Sequence, residues 1–198
     1  YFEEKIIKYF ASEYVIGNTP NPCVKCNRYI KFALLLDFMK KQNANFLATG
    51  HYAKIEKIDN NYKLAEAKDK IKDQSYFLSQ LKYEYLQYIK FPLWDMIKAK
   101  DVRDYANDKK ISVANSKESQ DICFTANRNY KDIIKDYFTI SEGNIVHTNG
   151  KILGKHSGII NYTRGQRKGL GIGYGEPLFV IDIDPKNNIV YVGSEDEL

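Results

Sequence analysis

The chain has 198 residues, of which 43% are hydrophobic and 28% charged, and a net charge of +5. That length suits one large domain or two small ones, at roughly 100–200 residues per domain. The longest apolar runs fall well short of the roughly 20 residues a bilayer span needs, and the acidic start Tyr1-Phe2-Glu3-Glu4 is unlike the basic end of a secretory signal. A cytoplasmic protein is therefore expected, in which three cysteines, an odd number, are catalytic or metal-binding more often than structural.

In chain order, Phe2, Ile6, Ile7 and Phe10 mark an amphipathic helix over 2–14. Residues 19–27 read as extended, because each proline pushes its predecessor out of the α region. Residues 27–42 read as a helix with Ile30, Leu34, Leu35 and Phe38 inward. Phe46-Leu47-Ala48-Thr49 is a short apolar strand ending at Gly50-His51. Ligands of open parallel sheets sit beyond such strand ends. A hairpin follows over 52–66, turning around Asn60-Asn61. Residues 73–90 read as largely helical, with Leu78, Leu81, Tyr85, Leu86 and Ile89 inward and Asp73 as N-cap. Further helices are expected over 100–110 and 128–138, with irregular chain between.

Near residue 140 the pattern changes to period two. Thr148-Asn149-Gly150 is a hairpin signal, and the strands 178–184 and 188–192 bracket a Pro-Lys-Asn-Asn turn. The fold class is α/β for residues 1–139, followed by a small all-β domain over 140–198. With no initiator Met and an end immediately after a strand, the chain reads as a piece of a longer enzyme.

Three features carry chemistry. Cys23-x-x-Cys26 follows a rigid Pro-Asn-Pro segment, where a helix N-terminus and nearby cations favour thiolate. It is half a zinc site, a dithiol redox pair, or one nucleophile with the remote Cys123 as sulfur partner. The basic balance is compatible with an RNA partner without requiring one, and the sixteen tyrosines offer base-stacking surfaces or ordinary packing. Arg164-Gly165-Gln166-Arg167-Lys168-Gly169-Leu170-Gly171 matches no nucleotide-binding glycine motif. It is a flexible turn, or a loop in which Arg and Lys meet RNA phosphates.

These segments together resemble one family. Thr19-Pro20-Asn21-Pro22, Cys26-Asn27, Ile30-Lys31-Phe32, Ala48-Thr49-Gly50-His51-Tyr52-Ala53, Lys72-Asp73-Gln74-Ser75-Tyr76-Phe77-Leu78, Ser119-Gln120-Asp121-Ile122-Cys123-Phe124 and Thr163-Arg164-Gly165-Gln166-Arg167-Lys168-Gly169-Leu170-Gly171 occur in the order found in the tRNA-specific 2-thiouridylases. The resemblance implies part of a Rossmann-like PP-loop ATP-pyrophosphatase domain (adenine nucleotide alpha hydrolase-like), then a central β domain. The family's phosphate-gripping Ser-Gly-Gly-x-Asp-Ser loop and its C-terminal barrel are not among these 198 residues, so the stretch by itself is expected to be inactive.

The resemblance further implies ATP-dependent 2-thiolation of the wobble uridine, position 34, of tRNAs such as the Lys, Glu and Gln acceptors. Mg2+ would accompany ATP, and a sulfur-relay protein would donate the sulfur. By position, Cys26 matches the nucleophile and Cys123 the persulfide cysteine, the two forming an alternate disulfide. Gly50 matches an ATP contact. Asn21, Pro22 and Cys23 match the segment that meets the target base, and His51, Lys72, Asp73 and Gln74 match tRNA contacts. Some relatives carry an acidic residue where Cys23 stands, so a proton-transfer role does not carry over to that thiol. A zinc-stabilised RNA-binding module without catalysis is the alternative expectation.

Overall fold

The structure is a computed structural model that describes residues 1–116, 122–125 and 128–198. Two compact units are present: Pro22–Ile122, and Glu3–Asn21 together with Cys123–Leu198. The expected boundary at residue 139 falls inside the second unit. That unit also takes in the N-terminal helix and the helix at 130–135. The Ser119-Gln120-Asp121 part of the cysteine motif lies outside the described residues. No helix of the described residues is long and apolar enough to cross a membrane.

The Pro22–Ile122 unit opens on a helix, not on extended chain. Residues 19–21 carry no regular element, and the extended stretch expected over 19–27 gives way at Pro22, which begins α2 (Pro22–Cys26). Proline is at home at a first helical position, where its missing N–H and fixed φ cost nothing. Asn21, the residue before it, stays outside. The chain continues through a π-helical turn, Asn27–Lys31, into α3 (Phe32–Lys41).

The buried face of α3 is not the expected one. Phe32, Leu36 and Met39 are buried, whereas Leu34, Leu35 and Phe38 are exposed and Ile30 is half-buried. Both stripes have helical spacing and similar apolarity. Tertiary packing chose the stripe that meets Ala53, Leu78, Ile89 and Phe91 in the core.

β1 (Leu47–Ala48) pairs in parallel with β4 (Ile89–Lys90). The hairpin β2 (Lys54–Ile58) and β3 (Asn61–Ala65) turns on Asp59-Asn60, one residue earlier than expected. Both turn residues have positive φ, 48° and 65°, as a two-residue primed turn requires. The expected helix over 73–90 is broken. Only α4 (Ser75–Leu78) is α-helical, Tyr83–Tyr88 is 3-10, and Ile89 is buried on a strand. Four α-helical residues are too few for periodicity to separate helix from turn. α5 (Arg103–Asp108) lies where expected.

In the second unit, α1 (Tyr9–Val15) follows a π-helical stretch, Glu3–Lys8. It stops at Gly17 in a Schellman arrangement: the Asn18 N–H donates to the Glu13 carbonyl and the Gly17 N–H to that of Tyr14. Gly17 has φ +81° and lies against Ile183. α1 packs on α6 (Tyr130–Lys135), whose N-cap Asn129 accepts from the Lys131 N–H. The sheet has the order β6-β5-β8-β7, with β5 (Gly143–His147), β6 (Ile152–His156), β7 (Phe179–Asp184) and β8 (Ile189–Gly193). β5 and β8 are parallel, the other pairs antiparallel. Its core gathers Ile145, Val180, Ile183, Val190 and Val192.

His156 is 2% exposed. Its Nδ1 accepts from the Gly158 N–H at 3.0 Å, so its Nε2–H is the donor to the Asn188 carbonyl at 3.1 Å. A Cβ at Gly143 would sit 2.7 Å from that Nε2 and against the Asn188 carbonyl. Gly143→Ala is therefore expected to cost about 1–3 kcal/mol, read as a lowered midpoint in urea unfolding. A Gly143→Ala protein as stable as wild type would refute this packing.

Candidate active site

Buried Pro22 and Val24 seat α2 and leave Cys23 and Cys26 half-buried. The next residue, Asn27, is 3% exposed, and its Nδ2 donates to the Phe77 carbonyl at 2.9 Å. Through that bond the cysteine helix is tied to α4 and so to the Lys72-Asp73-Gln74 loop just before it.

Beyond the end of β1 lie Thr49, Gly50 and His51. With Lys31, Phe32, Leu35 and Gln74 they line an open pocket of about 340 Å3. The His51 ring lies 5.6 Å from that of Phe32 and 6.0 Å from that of Phe91, and its Nδ1 is hydrogen-bonded to the Thr49 hydroxyl at 2.8 Å. Burial, helped by the nearby Lys31 charge, pushes its pKa down to about 4. His51 is therefore a neutral hydrogen-bonding group at pH 7 and adds no positive charge. Gly50 has no left-handed φ, and among the described residues an added Cβ would meet only Leu93 at 3.8 Å. The fold itself does not require glycine there, whereas a ligand approaching the backbone would.

The predicted RNA-contacting loop is built on carboxylates. Asp69, only 6% exposed, accepts from the backbone N–H groups of Lys72 at 3.3 Å and Lys98 at 2.9 Å. Asp73 accepts from the Ala67 N–H at 2.6 Å and from the Ser75 N–H and hydroxyl at 3.0 and 2.5 Å. Burial opposes its ionisation, but the Ser75 and Ala67 donors outweigh burial and hold its pKa below the ordinary value. Asp73 thus braces its own loop, and the N-cap of α4 is Gln74. Gln74 exchanges two bonds with Tyr52: its backbone N–H donates to the Tyr52 carbonyl at 2.7 Å, and its Oε1 accepts from the Tyr52 N–H at 3.0 Å. That leaves the Gln74 Nε2H2 group, at the pocket wall, for a ligand. Asp69 and the Tyr52–Gln74 exchange are what sequence reasoning missed. The only signal was an aspartate three residues before Lys72.

Asn21 and Cys123 belong to the second unit. The segment leading to Asn21 is anchored there by the Thr19–Thr163 hydroxyl pair at 2.8 Å and by Arg164, which donates to the Gly17 carbonyl at 3.3 Å. Arg164 is itself held by Asp182 at 2.6 and 2.9 Å. Cys123 is exposed, while the neighbouring Phe124 packs edge-on against Phe10 and Thr125 is buried. Among the described residues no group of three or more His, Cys, Asp or Glu side chains converges as a metal site.

Two family models match the chain, and they divide it differently from the two compact units, because residues 3–21 fall within the first model. The tRNA methyl transferase HUP domain matches residues 1–127 and the tRNA methyl transferase PRC-barrel domain matches 131–194. The class is thus a Rossmann-like α/β domain followed by a PRC-barrel domain. The curated relatives narrow it. The chain is 48% identical over 199 aligned residues to the tRNA-specific 2-thiouridylase MnmA of Rickettsia peacockii, with 100% of this chain and 54% of the relative covered. It is 49% identical to that of Rickettsia canadensis and 48% to that of Rickettsia typhi, covering all of this chain and 54% and 55% of those proteins. The chain belongs to this family of tRNA-specific 2-thiouridylases. It spans about half the length of the curated relatives it matches.

His51 makes the unit sensitive to acid in a stated direction. Its folded pKa of about 4 lies below the ordinary 6.5. Between those values the unfolded chain holds a proton that the folded one does not, so stability falls as pH drops from 6.5 towards 4 and levels below that. Urea unfolding from pH 7 to pH 4 is expected to show a smaller loss for His51→Gln than for wild type. Equal losses would refute the assignment.

Proposed function

We propose that the protein is a tRNA 2-thiouridylase that exchanges the C2 oxygen of the wobble uridine, position 34, for sulfur at the expense of ATP. The observation that carries this reading is the physical tie between the Cys26 helix and the Lys72–Gln74 loop, at the rim of the Gly50–His51 pocket. The family's motifs assign a nucleophile, an ATP contact and RNA contacts to these segments, which the Asn27–Phe77 and Tyr52–Gln74 bonds join. The family models speak of methyl transfer and the relatives' name of thiolation. The cysteines favour the second, because delivering sulfur needs a thiol to carry it and a thiol to release it.

ATP is a substrate, with Mg2+ as its counterion. The bare Gly50 backbone at the end of a parallel strand suits close approach of the nucleotide. Adenylation of the C2 oxygen makes AMP the leaving group. Cys123, exposed, receives sulfur from a relay protein as a persulfide. The Cys26 thiolate attacks the Cys123 sulfur, forms the Cys26–Cys123 disulfide and expels hydrosulfide, which displaces AMP at C2; an external reductant then restores both thiols. Asn21, Pro22 and Cys23 form the wall that meets the base. His51, Lys72 and Gln74 contact the RNA, with Asp73 holding the loop that presents them. Substrates are tRNAs of the Lys, Glu and Gln acceptor type, in the cytoplasm.

With full-length protein, Cys26→Ser and Cys123→Ser are each expected to lower thiolation to below about one-thousandth while leaving tRNA affinity intact. Product mass should show oxygen-for-sulfur exchange. Full activity in either variant would refute the assigned roles, and a methylated product would refute the reaction. Gly50→Ala is expected to raise the KM for ATP with no loss of thermal stability, checked by steady-state kinetics and a melting curve.

A further inference from the structure

The loop between the first turn of the Thr163-Arg164-Gly165-Gln166 motif and β7 is the largest feature left without a role. The motif's first half is structural. Gln166 accepts from the Thr163 N–H and donates to the Lys168 carbonyl, the Gly165 N–H donates to the Val180 carbonyl and the Val180 N–H to that of Gln166. Arg164 is spent on Asp182 and Gly17. Beyond Lys168 the character changes. Among the described residues, no hydrogen bond of any kind involves the backbone of residues 169–178.

The loop is held instead by side chains. Leu170 and Leu178 are buried in the core of the sheet, and Ile172 packs against it. Glycines 169, 171, 173 and 175 alternate with Leu170, Ile172 and Tyr174. Leu170 and Ile172 face the core, Tyr174 is exposed with its ring 5.2 Å from that of His147, and the glycine backbone lies along an open cleft of about 510 Å3. Gly169 and Gly171 need to be glycine, with φ of +77° and +71°. Gly173 and Gly175 do not: neither has a left-handed φ, and an added Cβ would meet nothing within 4 Å. Among the described residues, nothing would be obstructed by a side chain at those two positions.

We propose that this loop is a second RNA contact that takes the phosphodiester backbone. Exposed Arg167 lines the cleft, where Glu176 is the one acid among the lining residues, and exposed Lys168 adjoins it in the chain. Bare backbone lets the sugar-phosphate chain come close, and contacts of this kind position RNA without reading its bases. The cationic mouth favours RNA over a peptide strand added to the same backbone. The inference rests on the proposed tRNA substrate.

The test uses full-length protein and a wobble-uridine tRNA transcript, with the dissociation constant measured across a salt series and a melting curve for each variant. Gly173→Ala/Gly175→Ala is expected to weaken tRNA binding about tenfold, the size of one or two charge-assisted hydrogen bonds, with thermal stability unchanged or slightly raised. Arg167→Ala/Lys168→Ala should weaken binding and lower the slope of log K against log salt by about 1 to 2. Wild-type affinity and slope in both variants would overturn the proposal, as would weakened binding that only tracks lost stability. A wild-type protein that binds no tRNA would overturn the tRNA reading itself, so the two failures are distinguishable.

Discussion

The burial of Phe32 is the constraint on which the α/β unit turns. Its ring is fully enclosed and packs with those of His51 and Phe91 in one three-ring cluster, with centroids 5.6, 6.2 and 6.0 Å apart. Because Phe32 is the first residue of α3, its inward position sets the rotation of that helix. Leu36 and Met39 follow it in, and Leu34, Leu35 and Phe38 are turned out. The same rotation brings Lys31 to the pocket rim beside Gln74. The His51 ring beside Phe32 is desolvated, which together with the Lys31 charge lowers its pKa and keeps that side chain neutral. One aromatic contact thus fixes a helix face, a pocket wall and a protonation state.

The acids near the site serve geometry more than chemistry. Asp69 and Asp73 collect backbone N–H groups, which costs little because each charge is met by several donors. A loop of this kind keeps its shape without a regular element. That is what a segment presenting Lys72 and the amide of Gln74 needs if the RNA is to meet fixed groups. In the second unit, Arg164 plays the comparable part for the segment Gly17–Asn21. It bridges Asp182 of β7 and the carbonyl of Gly17, so the short chain before Pro22 is held by a charged fork.

The glycines divide along the same line between structure and use. Gly17 and Gly143 are required by neighbours that a Cβ would strike. Among the described residues, none would be struck by a Cβ at Gly50, Gly173 or Gly175. A glycine's letter is the same in every case, and only the surrounding atoms separate a packing glycine from one that leaves space for a ligand.

Much of the protein was legible before any coordinates. Period-two alternation and the Asn-Gly and Pro-Lys-Asn-Asn turns marked the four strands of the second unit, because turn residues act locally. The ordered motifs marked the family, and with it Cys26, Cys123, Gly50 and the Lys72–Gln74 loop as the places to look. Local signals failed where two answers were equally good. Two apolar stripes on α3 have the same spacing, and a proline before Cys23 can end an extended segment or begin a helix. The sequence by itself determined the strands, the family and the residues that carry its motifs, because spacing and turn chemistry are written between near neighbours. Only the tertiary structure decided which side of α3 is buried, that Asp73 braces a loop, that His51 is neutral and which glycines face open space. Apart from the bracing by Asp73, whose partners Ala67 and Ser75 are near in the chain, those properties belong to contacts between residues tens of positions apart, and no local pattern encodes them.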